Sequence, residues 1–277
     1  MTTIAITGAT GHIGGGVARL LGGDVDRIVV RDPSRAPELP GSPEVRVATY
    51  ADGNAMRSAL AGADVLLLVS GAEAQDRLEQ HRTAVRAAAE AGVRHVVYTS
   101  FDGAAPDAAF TLGRDHWHTE QAIRDSGMAW TFLRDSFYLD FFPLFASEDG
   151  VISGPAGDGR VAAVARDDVV DSAAAVLRDP AAHAGATYRL TGREALGFAE
   201  AAERMTRALG RPYRFEDQTL AEAYASRRAL TAEQWQLDAW VSTYTAIGSG
   251  ELAATTDDVE RLTGHAPRTL EQALRGE

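Results

Sequence analysis

Three glycines spaced by three residues mark the first turn of the chain. Thr7-Gly8-Ala9-Thr10-Gly11-His12-Ile13-Gly14 comes straight after an apolar run at residues 4–7 and leads into a helical pattern over residues 17–21. Residues of these types in this order suit the cradling of a pyrophosphate. Gly8 permits a sharp exit from a strand, Gly11 lets the backbone approach a phosphate closely, and Gly14 lets helix and strand pack tightly. The first helical N–H groups, around Thr10, His12 and Ile13, then point at negative charge. The first gap is one residue longer than in the commonest dinucleotide fingerprint, and spacing alone says little among 27 glycines. The strand-turn-helix setting gives the segment its reading.

The ends of the next strands carry the residues that would choose the dinucleotide. Val30-Arg31-Asp32-Pro33-Ser34-Arg35 closes the second strand. Arg31 and Arg35 there form a candidate clamp for a 2′-phosphate, which points to NADP(H); Asp32 could instead accept from ribose hydroxyls, which keeps NAD(H) possible. The alternative is that both arginines are solvated loop residues. Asp52, in Tyr50-Ala51-Asp52, is placed either to recognise an adenine amino group or to cap the following helix. Val69-Ser70-Gly71 leaves room for a ribose after the fourth strand. His116 and Glu120 stand one helical turn apart, but no third ligand follows at a recognisable spacing, so no metal is expected.

These positions need a frame that presents strand ends side by side. Apolar, β-rich runs at residues 4–7, 27–30, 44–48, 65–69, 95–99 and 130–133 alternate with helical patterns, clearest at 55–60, 80–91 and 119–125. Such alternation predicts an α/β fold with a doubly wound, Rossmann-type parallel sheet and ligands at the carboxyl ends of its strands. After Tyr138 the pattern turns irregular at 150–159, then helical at 167–177, extended at 187–190 and mostly helical beyond. Thr231-Ala232-Glu233-Gln234 has the form of a capping box for a helix through Trp240 and Tyr244. We therefore expect a dinucleotide-binding domain over residues 1–138 and a smaller, mainly helical, substrate-side lobe over 139–277, with a return to the sheet near 160–192.

Composition narrows the partners. With 277 residues, 45% of them hydrophobic, the chain can bury a large core. No cysteine is present, which excludes disulfides, thiolate catalysis and Cys-ligated metals. A net charge of −12 opposes nucleic acid and anionic membrane. With no leader-like segment ahead of the first strand, the expected location is the cytoplasm. A homo-oligomer is compatible with the sequence.

Read together, the glycine turn, Val30-Arg31-Asp32-Pro33, Tyr98-Thr99-Ser100, His116-x-x-Thr119-Glu120 with Asp125-Ser126-Gly127, Thr131-x-Leu133-Arg134, Gly157-Asp158-Gly159 and Arg166-x-Asp168-Val169 resemble the NmrA-like atypical short-chain dehydrogenase/reductases. Within that group the chain is most similar to the type-2 NADPH:quinone oxidoreductases, almost end to end, including Thr263-Gly264-x-Ala266-Pro267-Arg268-Thr269-Leu270. The resemblance implies NADPH held by the glycine turn, Arg31, Val69-Ser70-Gly71, the segment Asp135, Ser136, Phe137, Tyr138 through Asp140, and Arg166. It also implies a substrate pocket over the nicotinamide, between the lobes.

One departure from the wider superfamily bears on mechanism. Counting back from Thr119-Glu120 puts Leu112 where the catalytic Tyr would stand and His116 where its Lys would stand. A leucine donates no proton, so an acceptor that is already electrophilic, such as a quinone, is favoured over a simple ketone. Phe101, Phe137, Tyr138, Phe141 and Phe142 supply either an aromatic wall for a planar ring or the core between lobes. His116 is a candidate donor to ribose or substrate, or else a surface partner of Glu120. Ser100, outside any Gly-x-Ser-x-Gly elbow, is a candidate substrate contact or a strand-end cap. Tyr138 is the available weak acid. The competing readings are a catalytically silent NADP(H) sensor and a tailoring reductase or isomerase for a secondary metabolite.

Overall fold

The computed structural model describes residues 2–231 and 233–276. In chain order its first half holds β1 (Ile4–Thr7), α1 (His12–Leu21), β2 (Arg27–Val30), β3 (Glu44–Val47), α2 (Gly53–Leu60), β4 (Val65–Leu68), α3 (Arg77–Glu90), β5 (His95–Phe101), α4 (Thr111–Asp125) and β6 (Ala129–Asp135). The second half holds β7 (Val151–Gly154), α5 (Arg166–Arg178), β8 (Ala186–Leu190), α6 (Phe198–Leu209), β9 (Arg214–Asp217), α7 (Leu220–Arg227), α8 (Gln234–Ser249), α9 (Asp258–Thr263) and α10 (Leu270–Arg275).

β1, β4 and β5 are buried at every position, as expected of strands covered on both faces. They sit in the middle of a seven-stranded sheet of order β3-β2-β1-β4-β5-β6-β8, in which the pairs from β3 across to β5 run parallel. This is the doubly wound order, with the strand reversal falling between β1 and β4 and so just beyond the glycine turn. Met56, Ala59 and Leu60 of α2, Ala84, Val85 and Ala88 of α3 and Ile123 of α4 pack with Leu66, Leu68, Tyr98 and Phe132 of the sheet in one core.

The chain divides into two compact units. One comprises the segment ending at Phe101 together with Asp115–Arg134 and Val169–Tyr188; the other comprises Asp102–Arg114, Asp135–Asp168 and the chain from Arg189 on. The second unit contains the β7–β9 pair, which is parallel, with Val151 opposite Arg214. Its interior is aromatic, built on Phe142, Phe198 and Tyr244.

Two local expectations need correction. The stretch expected to be irregular contains β7, and the stretch expected to be helical contains β9. Both strands are four residues long, and Arg214-Phe215-Glu216-Asp217 carries three charges, so neither shows a periodic apolar signal. The capping box expected at Thr231 does not form around the start of α8: Glu233 is the N-cap, without a side-chain cap bond, and the Thr231 hydroxyl accepts from the Glu233 N–H at 3.2 Å. Ala232 lies outside the described residues. True capping boxes stand instead at Thr219/Glu222 and Thr269/Gln272.

Candidate cofactor and active site

In the first unit, the strand ends and the glycine turn enclose a cleft of about 550 Å³. Gly8, Thr10, Gly11, Arg31, Val69, Ser70 and Gly71, all predicted cofactor residues, line it together with Tyr50 and Ala51. Two glycines are required by geometry. Gly8 has φ +66° and faces Val69, and a Cβ on Gly14 would lie 2.5 Å from the Gly8 carbonyl oxygen, so the helix could not pack this close to β1 with any other residue there. α1 begins after Gly11 with no side-chain cap, leaving its first N–H groups directed at the turn. His12 is exposed at the start of that helix and Ile13 is buried beneath it.

The acidic candidates are engaged locally. Asp32 accepts from the Ser34 N–H at 2.9 Å and the Ser34 hydroxyl at 2.7 Å, and these bonds hold its carboxyl below the usual range. Arg35 is exposed at the end of the same short turn and is not among the residues lining the cleft. Asp52 is the N-cap of α2, accepting from the Ala55 N–H at 3.0 Å, and it too does not line the cleft. Of the two roles open to Asp52 in the sequence, its oxygen serves the cap.

The floor of the cleft, Val69-Ser70-Gly71, is shaped by side chains rather than by sheet pairing. The Val69 N–H donates to the Thr7 hydroxyl oxygen at 2.9 Å, the Tyr50 hydroxyl donates to the Val69 carbonyl at 2.6 Å, and the Ser70 N–H donates to the Thr99 hydroxyl oxygen at 2.8 Å. At Gly71 the N–H donates to His81 Nε2 at 2.8 Å and the carbonyl accepts from Arg77 Nε at 2.9 Å. None of Thr7, Tyr50, Arg77, His81 and Thr99 was singled out as a site residue from the sequence. The available signal was a His and an Arg one turn apart on α3, a helix beginning directly after this loop.

His116 is buried, not on the surface, and it does not pair with Glu120. Arg77 donates to His116 Nε2 at 2.9 Å, and His116 Nδ1 lies 3.0 Å from the Tyr98 hydroxyl. Burial first, and the neighbouring Arg77 charge second, hold the imidazole well below its ordinary pKa. Glu120 instead accepts from the Ser100 hydroxyl at 2.6 Å and from Arg134 through two bonds at 2.8 and 2.7 Å, with Arg124 at 3.3 Å. Ser100 is thereby a strand-end partner whose proton is already committed.

In the second unit, Asp135, Ser136, Phe137, Tyr138 and Arg166 form a different environment. The Tyr138 hydroxyl donates to Asp135 Oδ2. Burial pushes the Asp135 carboxyl up to about 7, the Tyr138 bond opposing and the Asp102 charge adding. Burial, then the Asp135 charge, raises the Tyr138 phenol well above its ordinary value. Arg166 Nε lies 3.3 Å from Asp140 Oδ1 without hydrogen-bond geometry, and its guanidinium sits 4.9 Å over the Phe141 ring. Asp135 Oδ1, Ser136 Oγ and Arg166 Nε are buried and have no hydrogen-bond partner. Such atoms are costly unless a ligand completes them.

The predicted aromatic wall separates by burial. Phe141 is partly exposed and meets Tyr138 edge-on, and Phe137 meets Phe110 edge-on at 5.1 Å. Phe142 has no exposed surface and packs with Phe145 and Phe198, so it belongs to the interior of its unit. Phe101, in the first unit, is buried beside His116.

A turn that admits no Cβ and a cleft ending on Arg31 fit a dinucleotide. Among the described residues, no helix is long and apolar enough to cross a membrane. Comparison with known proteins agrees with this reading. Residues 8–180 match the family described as NAD(P)H-binding. Quinone oxidoreductase 2 of Escherichia coli is 33% identical over 98% of this chain and 97% of its own. The NAD(P)H azoreductase of Xenophilus azovorans is 31% identical over 96% and 95%. Among solved structures, an NADPH-dependent quinone oxidoreductase from E. coli complexed with NADPH superposes with a TM-score of 0.89 at 32% identity, covering 99% of both chains. The chain belongs to the NAD(P)H-binding family and is an NAD(P)H-dependent oxidoreductase.

Proposed function

We propose that the protein uses NADPH to reduce quinone-like or other small electrophilic aromatic acceptors, hydride passing directly to the acceptor without a Tyr/Lys pair. The observation that carries this reading is the chemistry at the two positions where that pair would stand. Leu112 has no proton to give, and His116 is held neutral between Arg77 and Tyr98. When bound, the nicotinamide supplies the hydride.

The chain's own residues bind and orient. The glycine turn takes the pyrophosphate, and Arg31 takes the 2′-phosphate through charge-assisted bonds, a local attraction that the net charge of −12 does not supply diffusely. In the second unit, Asp135 Oδ1, Ser136 Oγ and Arg166 Nε, buried without a partner, are candidate contacts for a ligand. A quinone accepts hydride as a closed-shell electrophile, so its reduction does not wait on a strong acid. The second hydrogen arrives as a proton, from water or from Tyr138, whose raised pKa suits a weak donor. Phe137 and Phe141 offer the acceptor apolar, aromatic surface. The relatives named for quinone and azo substrates support this acceptor class. The working environment is the cytoplasm, with neither nucleic acid nor membrane as partner.

NADPH oxidation followed by absorbance with a panel of small quinones, beside titrations of NADP+, NADPH and NADH, tests the proposal. Turnover with quinones and tighter binding of NADPH than NADH are the expected results. Strong discrimination between NADP+ and NADPH without turnover would replace the enzyme by a redox sensor.

A further inference from the structure

α3 starts six residues beyond Gly71, and its first two turns reach back to that residue from both sides. Arg77 Nε donates to the Gly71 carbonyl and His81 Nε2 accepts the Gly71 N–H. Both side chains are almost wholly buried, and both continue into α4: Arg77 to Asp115 at 3.3 Å and to His116, His81 Nδ1 to the Thr119 hydroxyl at 3.0 Å.

Donor and acceptor counting fixes the protons in this network. The Gly71 N–H can only donate, so His81 Nε2 is bare and its proton sits on Nδ1, where the Thr119 oxygen accepts it. Thr119 spends its own hydroxyl proton on the Asp115 carbonyl at 2.7 Å, which leaves that oxygen able only to accept from His81. Guanidinium likewise only donates, so His116 Nε2 is bare and its proton sits on Nδ1, facing Tyr98. Both imidazoles are therefore neutral, in the same tautomer, and their ring nitrogens are already engaged. Burial, reinforced by the Arg77 charge, lowers His81 to about 3, in keeping with that assignment. Neither ring can release a proton to a substrate without dropping a bond of the network.

We propose that Arg77 and His81 are positioning residues that clamp the Gly71 peptide in the orientation the dinucleotide requires, with His116, Tyr98 and Thr119 bracing the clamp against α4. This inference rests on the cofactor reading of the cleft, which Gly71 lines. It also gives His116 a reason to occupy the position vacated by a catalytic lysine: the residue holds the clamp and does not touch the chemistry.

The test compares His81→Gln, His81→Leu and wild type by calorimetric titration with NADPH, with near-ultraviolet circular dichroism and Tm recorded for each. Glutamine can accept from the Gly71 N–H through its carbonyl and donate to Thr119 through its amide; leucine can do neither. We expect NADPH affinity to fall tenfold or more in His81→Leu and to stay within about threefold of wild type in His81→Gln, whatever the two variants do to Tm. A folded His81→Leu that binds NADPH like wild type, or a His81→Gln as impaired as His81→Leu, overturns the proposal. If His81→Leu does not fold, nitrogen-15 NMR of wild-type histidines still decides. The expected spectrum shows His81 and His116 neutral and protonated on Nδ1 from pH 8 down to pH 5, and the opposite tautomer at His81 overturns the clamp. Failure of wild type to bind NADPH or NADH would instead refute the cofactor reading itself.

Discussion

Glu120, on α4, and Asp135, at the end of β6, are both buried carboxyl groups, and the molecule treats them in opposite ways. Glu120, in the first unit, receives hydrogen bonds from Ser100, Arg124 and Arg134. Asp135, in the second, receives the Tyr138 hydroxyl at one oxygen and nothing at the other. The same contrast extends to their neighbours. Among the described residues, the buried side-chain atoms without a hydrogen-bond partner are Asp135 Oδ1, Ser136 Oγ and Arg166 Nε, all in the second unit. Each such group costs roughly 1–3 kcal/mol unless water or a ligand completes it. On the reading proposed above, the saturated network is scaffold and the unsaturated one is a candidate ligand contact.

The comparison is easiest to break at Glu120. Glu120→Ala should strand two arginines and cost about 3–5 kcal/mol, read as a lower denaturant midpoint. A loss below about 1 kcal/mol would show that the saturated network is not scaffold.

Asp135→Asn probes the opposite case through pH. The folded-state pKa of Asp135 is raised, to about 7, above that of a free carboxyl. The native state therefore holds its proton more tightly than the unfolded chain, and the stability linked to that proton is complete at acid pH and lost as pH rises through about 7. Measured by chemical denaturation, wild type should lose about 2 kcal/mol relative to Asp135→Asn between pH 5 and pH 7.5. Parallel curves for the two proteins would mean that Asp135 is not a buried acid near neutrality. His81, held low in the first unit, has the reverse sign: the stability it contributes is complete above pH about 6.5 and falls as the solution is acidified.

The cleft itself gives a third test. Arg31→Ala should weaken NADPH binding by about tenfold or more, the equivalent of one or two charged hydrogen bonds, while NADH binding stays nearly unchanged. Equal losses for both cofactors in a fluorescence titration would remove Arg31 from 2′-phosphate recognition. The smallest stability effect is expected for Ser136→Ala, a gain of about 1 kcal/mol in the protein alone, because the variant removes a buried hydroxyl that has no partner there. NADPH affinity should nevertheless fall in that variant. An unchanged affinity would detach Ser136 from the ligand.

Much of this architecture was legible in the sequence because burial on both faces writes a simple signal. β1 and β2 fall where their apolar runs fall, and the glycine turn lies where the pattern put it. α4 was recognisable only over its last turns, since its first half, Thr111-Leu-Gly-Arg-Asp-His-Trp-His118, is polar and takes its place through long-range partners such as the bond from the Thr111 N–H to Ser242. β9 was invisible for a similar reason. The cofactor cleft was legible at its lining but not at its supports. Nothing in α3 distinguishes His81 from a surface histidine until the fold brings Gly71 and Thr119 to its two nitrogens. Asp32 and Asp52 show the converse, because an acid at a strand end can serve the backbone two or three residues on as readily as a ligand.

The place of β8 outside β6 has a consequence for the nascent chain. Six strands of the sheet are complete at Asp135, yet the seventh begins only at Ala186. At a synthesis rate of roughly 5–20 residues per second, the ribosome leaves the outer edge of β6 uncovered for several seconds. During that interval the strand carries Trp130 and Phe132 with one row of backbone groups open to pairing with any extended chain nearby. Efficient production of this protein therefore depends less on the stability of the finished sheet than on what shields that edge until translation reaches residue 190.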